Sequence, residues 1–297
     1  MKTDSGMENS MKKRQDRFKG AAFMAPSAVG VLTFFVIPFI VIIFYSMVDN
    51  PVKKNFVGLD NFVSLINNSA FLEAAVNTLV FSLAAVPAAV ILSLLLAMLL
   101  DMGIPGKSRF RTVFLCPLMV PVASVVIVWQ VMFHSNGALN EIISVFGADP
   151  VDWMNSKYNV LIILSLFLWK NLGYNMVLFM AAFANIPADL LEVARLEGAG
   201  AWMIFVKIKL RYLSPAIFFV AILSLINSFK IFREVYLLTG GYPYGNIYYL
   251  QHFMNNQFEA LNYQKLSTAA VIMSIVMIII IGILFIVENR FGKEVEE

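Results

Sequence analysis

Six stretches of this chain stay apolar for long enough to cross a lipid bilayer, and no other feature restricts its fold so severely. A helix needs about 20 predominantly apolar residues to span the hydrocarbon core, where every backbone N–H and C=O must find its partner within the protein. The stretches are Ala21–Met47, Ala75–Leu100, Val113–Phe133, Val160–Phe183, Pro215–Ile231 and Ser267–Val287. Hydrophobic residues make up 60% of the chain and charged ones 14%, and that excess lies in these runs. The expected fold is an all-α integral membrane protein of six transmembrane helices. The first run exceeds a signal-peptide core and lacks a small-residue cleavage site, so it reads as a retained span. The fifth is short, and its register is free to slide by several residues.

Orientation follows from the loops that carry Lys and Arg. Most of the 22 basic residues fall on one side. Lys2, Lys12, Lys13, Arg14, Arg17 and Lys19 precede the first span. Lys107, Arg109 and Arg111 lie in the second connection, Arg195, Lys207, Lys209 and Arg211 in the fourth, and Arg290 and Lys293 after the last span. The opposite loops hold chiefly Lys53, Lys54, Lys157, Arg233 and Lys265. Both termini are therefore expected in the cytoplasm. The organisation is a basic tail over 1–20, a six-span membrane domain over 21–287 with a cytoplasmic loop at 184–214, and a cytoplasmic tail over 288–297. The net charge of +3 is this bias seen from afar and does not point to nucleic acid.

Catalytic chemistry finds little support. The single cysteine, Cys116, reads as a small buried apolar side chain, and it permits no intramolecular disulfide. His134 and His252 fall in outer loops without Cys, His or carboxylate neighbours at ligand spacing, so no metal site is expected. There is no nucleophile elbow, glycine-rich phosphate loop or paired-carboxylate constellation. The chain reads as a non-enzyme that binds no cofactor of its own. In the outer connections, an apolar run after Phe56–Phe62 suggests a short interfacial helix. Turn signals with Trp153 suggest a folded loop after the third span.

The cytoplasmic loop is the most specific part of the sequence. Pro187 fits the first turn of a helix, and Asp189 suits the positive end of its dipole. Leu190, Leu191 and Ala194 share a face that can pack on the membrane domain, while Glu192 and Arg195 mark a more polar side. Gly198 is a ready left-handed terminator. An apolar-basic stretch, Trp202–Leu213, then leads to Pro215. As a bare segment this fits an interfacial helix pair on lipid headgroups as well as a surface offered to a protein.

The spacing, however, resembles the EAA motif of membrane subunits of binding-protein-dependent ABC importers. Glu192, Ala194, Gly198, Ile208 and Leu210 stand in register with it. Val193 replaces a customary alanine, and Arg211 stands where a proline is expected, Pro215 coming four residues late. Phe56–Phe62, Asn77-Thr78, Arg109–Thr112, Gly137–Asn140 and Ser228–Gly241 resemble further signatures of the sugar-importer branch, although many members have aspartate at the position of Arg233. The ordered set covers nearly the whole chain and is similar to the larger maltose-transporter membrane subunit without its long outer domain.

That resemblance implies a type I importer permease of the bacterial cell membrane. It would be half of a heterodimer with a second permease subunit, driven by two ATPase subunits that use ATP and Mg, and supplied by an extracytoplasmic sugar-binding protein. An oligosaccharide is the preferred solute. The helix Pro187–Glu197 would be the coupling helix, and Glu192, Ala194, Arg195, Gly198, Ile208 and Leu210 its ATPase-coupling residues. For the sugar path, polar and ionisable groups inside spans are the natural candidates. They are Lys170, Asn171, Tyr174 and Asn175 in the fourth span, Asn227 and Lys230 in the fifth, and Trp129 and Gln130 in the third. Each also has a structural use: Trp129 in an aromatic belt, Lys230 snorkelling, and asparagines bonding neighbouring helices. An ion-gradient-driven secondary transporter is the first alternative, disfavoured because no Asp or Glu falls inside the assigned spans and no inverted repeat is visible. A non-transporting membrane scaffold is the second.

Overall fold

A computed structural model describes residues 19–20, 23–102 and 104–296, with side chains as far as Arg290. The basic tail expected before Lys19, the first residues of the first span at 21–22, and Lys293 as a side chain lie outside that description. Two compact units make up the chain. One holds the described residues up to Leu65 with Asn262–Ile272; the other holds those of Ile66–Leu261 with the described residues from Met273 onward. Six helical segments among the described residues are long and apolar enough to cross a membrane: Phe23–Ser46, Ser69–Asp101, Val122–Val145, Asn159–Ala184, Ser214–Thr239 and Tyr263–Arg290.

In the first unit, α1 (Phe23–Ser46) takes a π-helical turn at Leu32–Val36. The Asn61 side chain, on α2 (Asp60–Ile66), donates to the Ser46 and Val48 carbonyls, both at 2.9 Å. This α2 is the short helix expected after Phe56.

The second unit is built on α3 (Ser69–Asp101) and α7 (Asn159–Ala184), which pack against each other more extensively than any other pair. The sequence explains their close approach. Ala74, Thr78, Ser82, Ala85, Ala89, Ser93 and Ala97 recur every three or four residues along α3, and all are buried. Small residues in that register let helix backbones approach where no water drives association. Asn68 caps α3 by accepting from the Phe71 N–H at 3.0 Å. The opposite face stays apolar and exposed at Val80, Leu83, Ile91 and Leu95, as a lipid-facing surface requires. Phe81, Ile163 and Phe167 centre one core cluster, and Met176, Phe179 and Phe183 another.

Two expected spans are interrupted. The run 113–133 is cut at Val120–Pro121, separating α4 (Lys107–Met119) from α5 (Val122–Phe133). Proline drives the preceding residue out of the helical region, and Val120 accordingly has φ −82° and ψ 129°. A short helix α6 (Ala138–Val145) follows. Asn140 there holds the loop by donating to the Ser135 and Val151 carbonyls and accepting from the Trp153 indole at 3.0 Å.

The fifth span continues past its expected end. After the short helices α8 (Ala188–Leu196) and α9 (201–212), α10 (Ser214–Phe229) breaks at Lys230 and resumes as α11 (Phe232–Thr239). The apolar segment is thereby extended to Thr239, and Glu234 falls within it, overturning the expectation that no acidic residue lies in a span. The helices α12 (Leu250–Glu259) and α13 (Tyr263–Glu296) complete the chain. His252, expected in an open loop, is fully buried within α12.

Candidate functional site

The break between α10 and α11 opens a cavity of about 190 Å³ lined by Lys170, Asn171, Asn227, Lys230, Arg233 and Glu234 among others. Four of the eight residues expected on the solute path, Lys170, Asn171, Asn227 and Lys230, therefore meet in one place. A hydrogen-bond chain fixes them. Asn227 Nδ2 donates to Asn171 Oδ1 at 2.8 Å, and Asn171 Nδ2 donates to the Phe167 carbonyl of its own helix at 2.7 Å. Lys170 forms an ion pair with Glu234, joining α7 to α11. Glu234 is 5% exposed, and its Oε2 has no hydrogen-bond partner among the described residues. Sequence reasoning missed this carboxylate because the assigned span ended at Ile231, three residues short. The apolar Val235, Leu237 and Leu238 beyond it were the available signal.

The other four path candidates lie elsewhere. Asn175 is fully buried and donates to Ser224 Oγ at 2.9 Å, tying α7 to α10. Tyr174 is exposed and absent from the cavity wall. Trp129 packs with Val125, Ile162 and Leu166, its ring 5.2 Å from that of Trp169. Gln130 Nε2 donates to the Leu237 carbonyl at 3.3 Å, bracing α5 against α11.

The helices α8 and α9 form a hairpin that turns at Gly198. Pro187 stands at the N-cap of α8 rather than in its first turn, and Asp189 occupies the first turn. The C-terminus closes as a Schellman motif. The Ala199 N–H donates to the Ala194 carbonyl at 2.9 Å, and the Gly198 N–H donates to the Arg195 carbonyl at 3.0 Å. Gly198 has φ +83°, a conformation that glycine adopts without strain. Of the expected inner face, Leu191 packs against the Met176–Phe183 cluster, whereas Leu190 is exposed. Glu192, Val193 and Leu196 face outward, as does Trp202 at the start of α9. Ile208 lies in a π-helical turn at Phe205–Lys209, and Leu210 follows it directly.

Arg211 sits inside the continuous helix 201–212, where proline would remove a backbone donor. The turn expected after Leu210 is replaced by a helix that runs on to Tyr212, and Pro215 opens α10 instead. A cavity of about 490 Å³ lined by Asp101, Arg195, Trp202 and Lys209 separates parts of the hairpin from the end of α3.

Comparison with known proteins gives this geometry its context. The sequence pattern described as "Binding-protein-dependent transport system inner membrane component" matches residues 62–295. The chain is 27% identical over 296 residues to a trehalose/maltose transport system permease protein of Thermococcus litoralis, covering 98% of this chain and 100% of that one. It is 29% identical over 289 residues to a probable ABC transporter permease of Bacillus subtilis, covering 95% and 92%. It is 30% identical over 242 residues to an sn-glycerol-3-phosphate transport system permease of Escherichia coli, covering 80% and 82%. The fold matches a chain of a bacterial ABC transporter involved in the import of the acidic polysaccharide alginate. There the TM-score is 0.80 at 20% identity, over 95% of this chain and 99% of that one. With its six membrane-crossing helices, the chain belongs to the binding-protein-dependent transport system inner membrane components, as a multi-pass permease subunit of an ABC importer.

Proposed function

We propose that this chain forms half of the translocation path of an ATP-driven sugar importer, paired with a second permease subunit and fed by an extracytoplasmic sugar-binding protein. Relatives named for trehalose/maltose, arabinooligosaccharides and sn-glycerol-3-phosphate support a carbohydrate or polyol solute, with an oligosaccharide preferred. ATP and Mg belong to two separate ATPase subunits, and the chain itself carries no cofactor and does no hydrolysis.

One observation carries the reading: the α8–α9 hairpin presents a short, capped helix without a single buried residue, at the foot of the α3–α7 pair. A helix with an outward Glu192, Val193 and Leu196 and a glycine turn at its end suits docking in a cleft of an ATPase. Glu192 would pair with a basic group there, and Ala194 and Gly198 would permit close approach. Arg195 on α8, and Ile208 and Leu210 on α9, would complete the coupling surface. The cavity at Lys170, Asn171, Asn227 and Lys230 supplies hydrogen-bonding groups of the kind sugars need. Tyr174, Asn175, Trp129 and Gln130 would shape the helices around it.

The test uses the full importer in native membranes. Glu192→Lys and Gly198→Leu should insert normally, lose ATPase co-purification and abolish ATP-dependent uptake. Normal co-purification and uptake in both variants would sink the docking assignment.

A further inference from the structure

The charges around the cavity at the α10–α11 break do not balance. Four ionisable side chains line it: Lys170 from α7, Lys230 at the break, and Arg233 and Glu234 from α11. Glu234 is committed to Lys170. The remaining lining groups, Leu118 from α4, Phe167 and Asn171 from α7, Asn227 from α10 and Ile231, include no acid. Lys230 and Arg233 thus line the cavity as exposed side chains, and no carboxylate among the described lining residues is left to answer them. The eight-residue helix α11 also begins here, and the positive end of its dipole adds to the same sign. Cationic groups held within a span cost free energy unless something offsets them. Snorkelling would carry Lys230 toward the headgroups, yet it lines the same cavity as Lys170 and Asn171.

A second observation points to what the ligand carries besides charge. Glu234 is 5% exposed and lines the cavity, and its Oε2 is buried without a hydrogen-bond partner. Buried acceptors are rarely left unpaired. A ligand hydroxyl is the donor that would complete it. We propose that the cavity takes an acidic sugar: a carboxylate or phosphate group seated on Lys230 and Arg233, and a hydroxyl donating to Glu234. Arginine offers a planar fork matched to either anion, and lysine a point charge beside it. A neutral sugar would answer Glu234 but leave the cations uncompensated. The inference rests on the cavity lying on the translocation path.

The experiment reconstitutes the full importer, with its partner permease, ATPase subunits and binding protein, in proteoliposomes. Uptake of labelled trigalacturonate, glucose 6-phosphate and maltotriose is measured, the first two separating a carboxylate from a phosphate source. The expected result is ATP-dependent uptake of one of the two acids. The double variant K230Q/R233Q should lower it at least about tenfold, as loss of charge-assisted contacts implies. The charge-conserving K230R/R233K should retain most of it, and the affinity of the binding protein for the probe should not change. Two results would overturn the assignment while leaving the importer reading intact: uptake of maltotriose with neither acid carried, or acid uptake undiminished in K230Q/R233Q. Loss of ATPase co-purification from the wild-type chain, with no ATP-dependent uptake of any probe, would overturn the transport reading as well.

Discussion

Lys209 of the α8–α9 hairpin reaches Asp101, the last residue of α3, with Nζ 3.3 Å from Oδ2, and its ammonium lies 5.4 Å from the centre of the Phe183 ring on α7. One side chain thereby ties the hairpin to the C-terminal ends of both central helices. Partly exposed ion pairs of this kind contribute at most about 1 kcal/mol to stability, so its loss should barely move the melting temperature. Its value would lie in keeping the hairpin in step with α3 and α7. Lys209→Asp should reduce uptake several-fold with ATPase binding retained, and the swap D101K/K209D should restore it. A swap no better than the single variant would show that the pair does not transmit motion.

The Lys170–Glu234 pair predicts an asymmetry. Removing one partner of a buried ion pair leaves the other charge uncompensated, at a cost of about 3 kcal/mol or more. Glu234 is the more buried, with a side chain 7% exposed against 22% for Lys170. Lys170→Met should therefore lower the inactivation temperature in detergent more than Glu234→Gln does. The apolar replacement K170M/E234L should recover much of that loss while uptake stays impaired. If Lys170→Met leaves both stability and uptake kinetics unchanged, the pair neither holds the helices nor borders the path.

The hairpin was legible because its signals are local. A capping turn, a glycine at the left-handed position and an amphipathic period are written within a dozen residues, and Gly198 adopts the conformation its position implies. The cavity was only half legible. Lys170 and Asn171 announce themselves as polar residues in an apolar run, but whether Asn175 faces them or faces α10 depends on helix rotation, which packing decides. Glu234 was hidden by the break at Lys230. A charged residue ends a span by composition, and its ion pair with Lys170, far away in sequence, is what offsets the charge there. Pro121 marks a place where the third span can break, but Pro87 and Pro117 stay within continuous helices, so the proline alone does not say which position breaks.

His252 predicts a pH dependence. Its ring is fully buried against Phe232, Tyr248 and Tyr249; Nδ1 accepts from the Tyr249 N–H at 3.2 Å, and Nε2 has no partner. Burial pushes its pKa down from 6.5 to about 4, while the same burial pushes the neighbouring Tyr249 phenol up. Between those two values the unfolded chain binds a proton that the folded chain refuses. Stability is therefore complete above pH 6.5 and falls as pH drops toward 4, by about 3 kcal/mol at most. Melting temperatures in detergent between pH 4 and 7 should decline on acidification, and His252→Gln should flatten the curve. An equally steep decline in that variant would assign the effect to other groups.

Gly173 offers the sharpest packing test. It sits on α7 where a Cβ, placed in its ideal position, would run into the Phe114 backbone carbonyl of α4. Backbone cannot swing aside as the end of a flexible side chain can, so α4 and α7 must separate. Gly173 is helical and buried, and alanine has the better helix propensity by about 1 kcal/mol, so propensity alone predicts that Gly173→Ala stabilises. Overpacking between helices typically costs about 1–3 kcal/mol, and the rigid neighbour places this site at the upper end. The net expectation is a lower melting temperature in Gly173→Ala, with a larger drop in Gly173→Val. A cross-link between cysteines introduced on facing positions of α4 and α7 should form more slowly in both variants. A rise in melting temperature for the alanine variant would mean that the two helices are free to part, and that the approach at Phe114 is not what fixes their spacing.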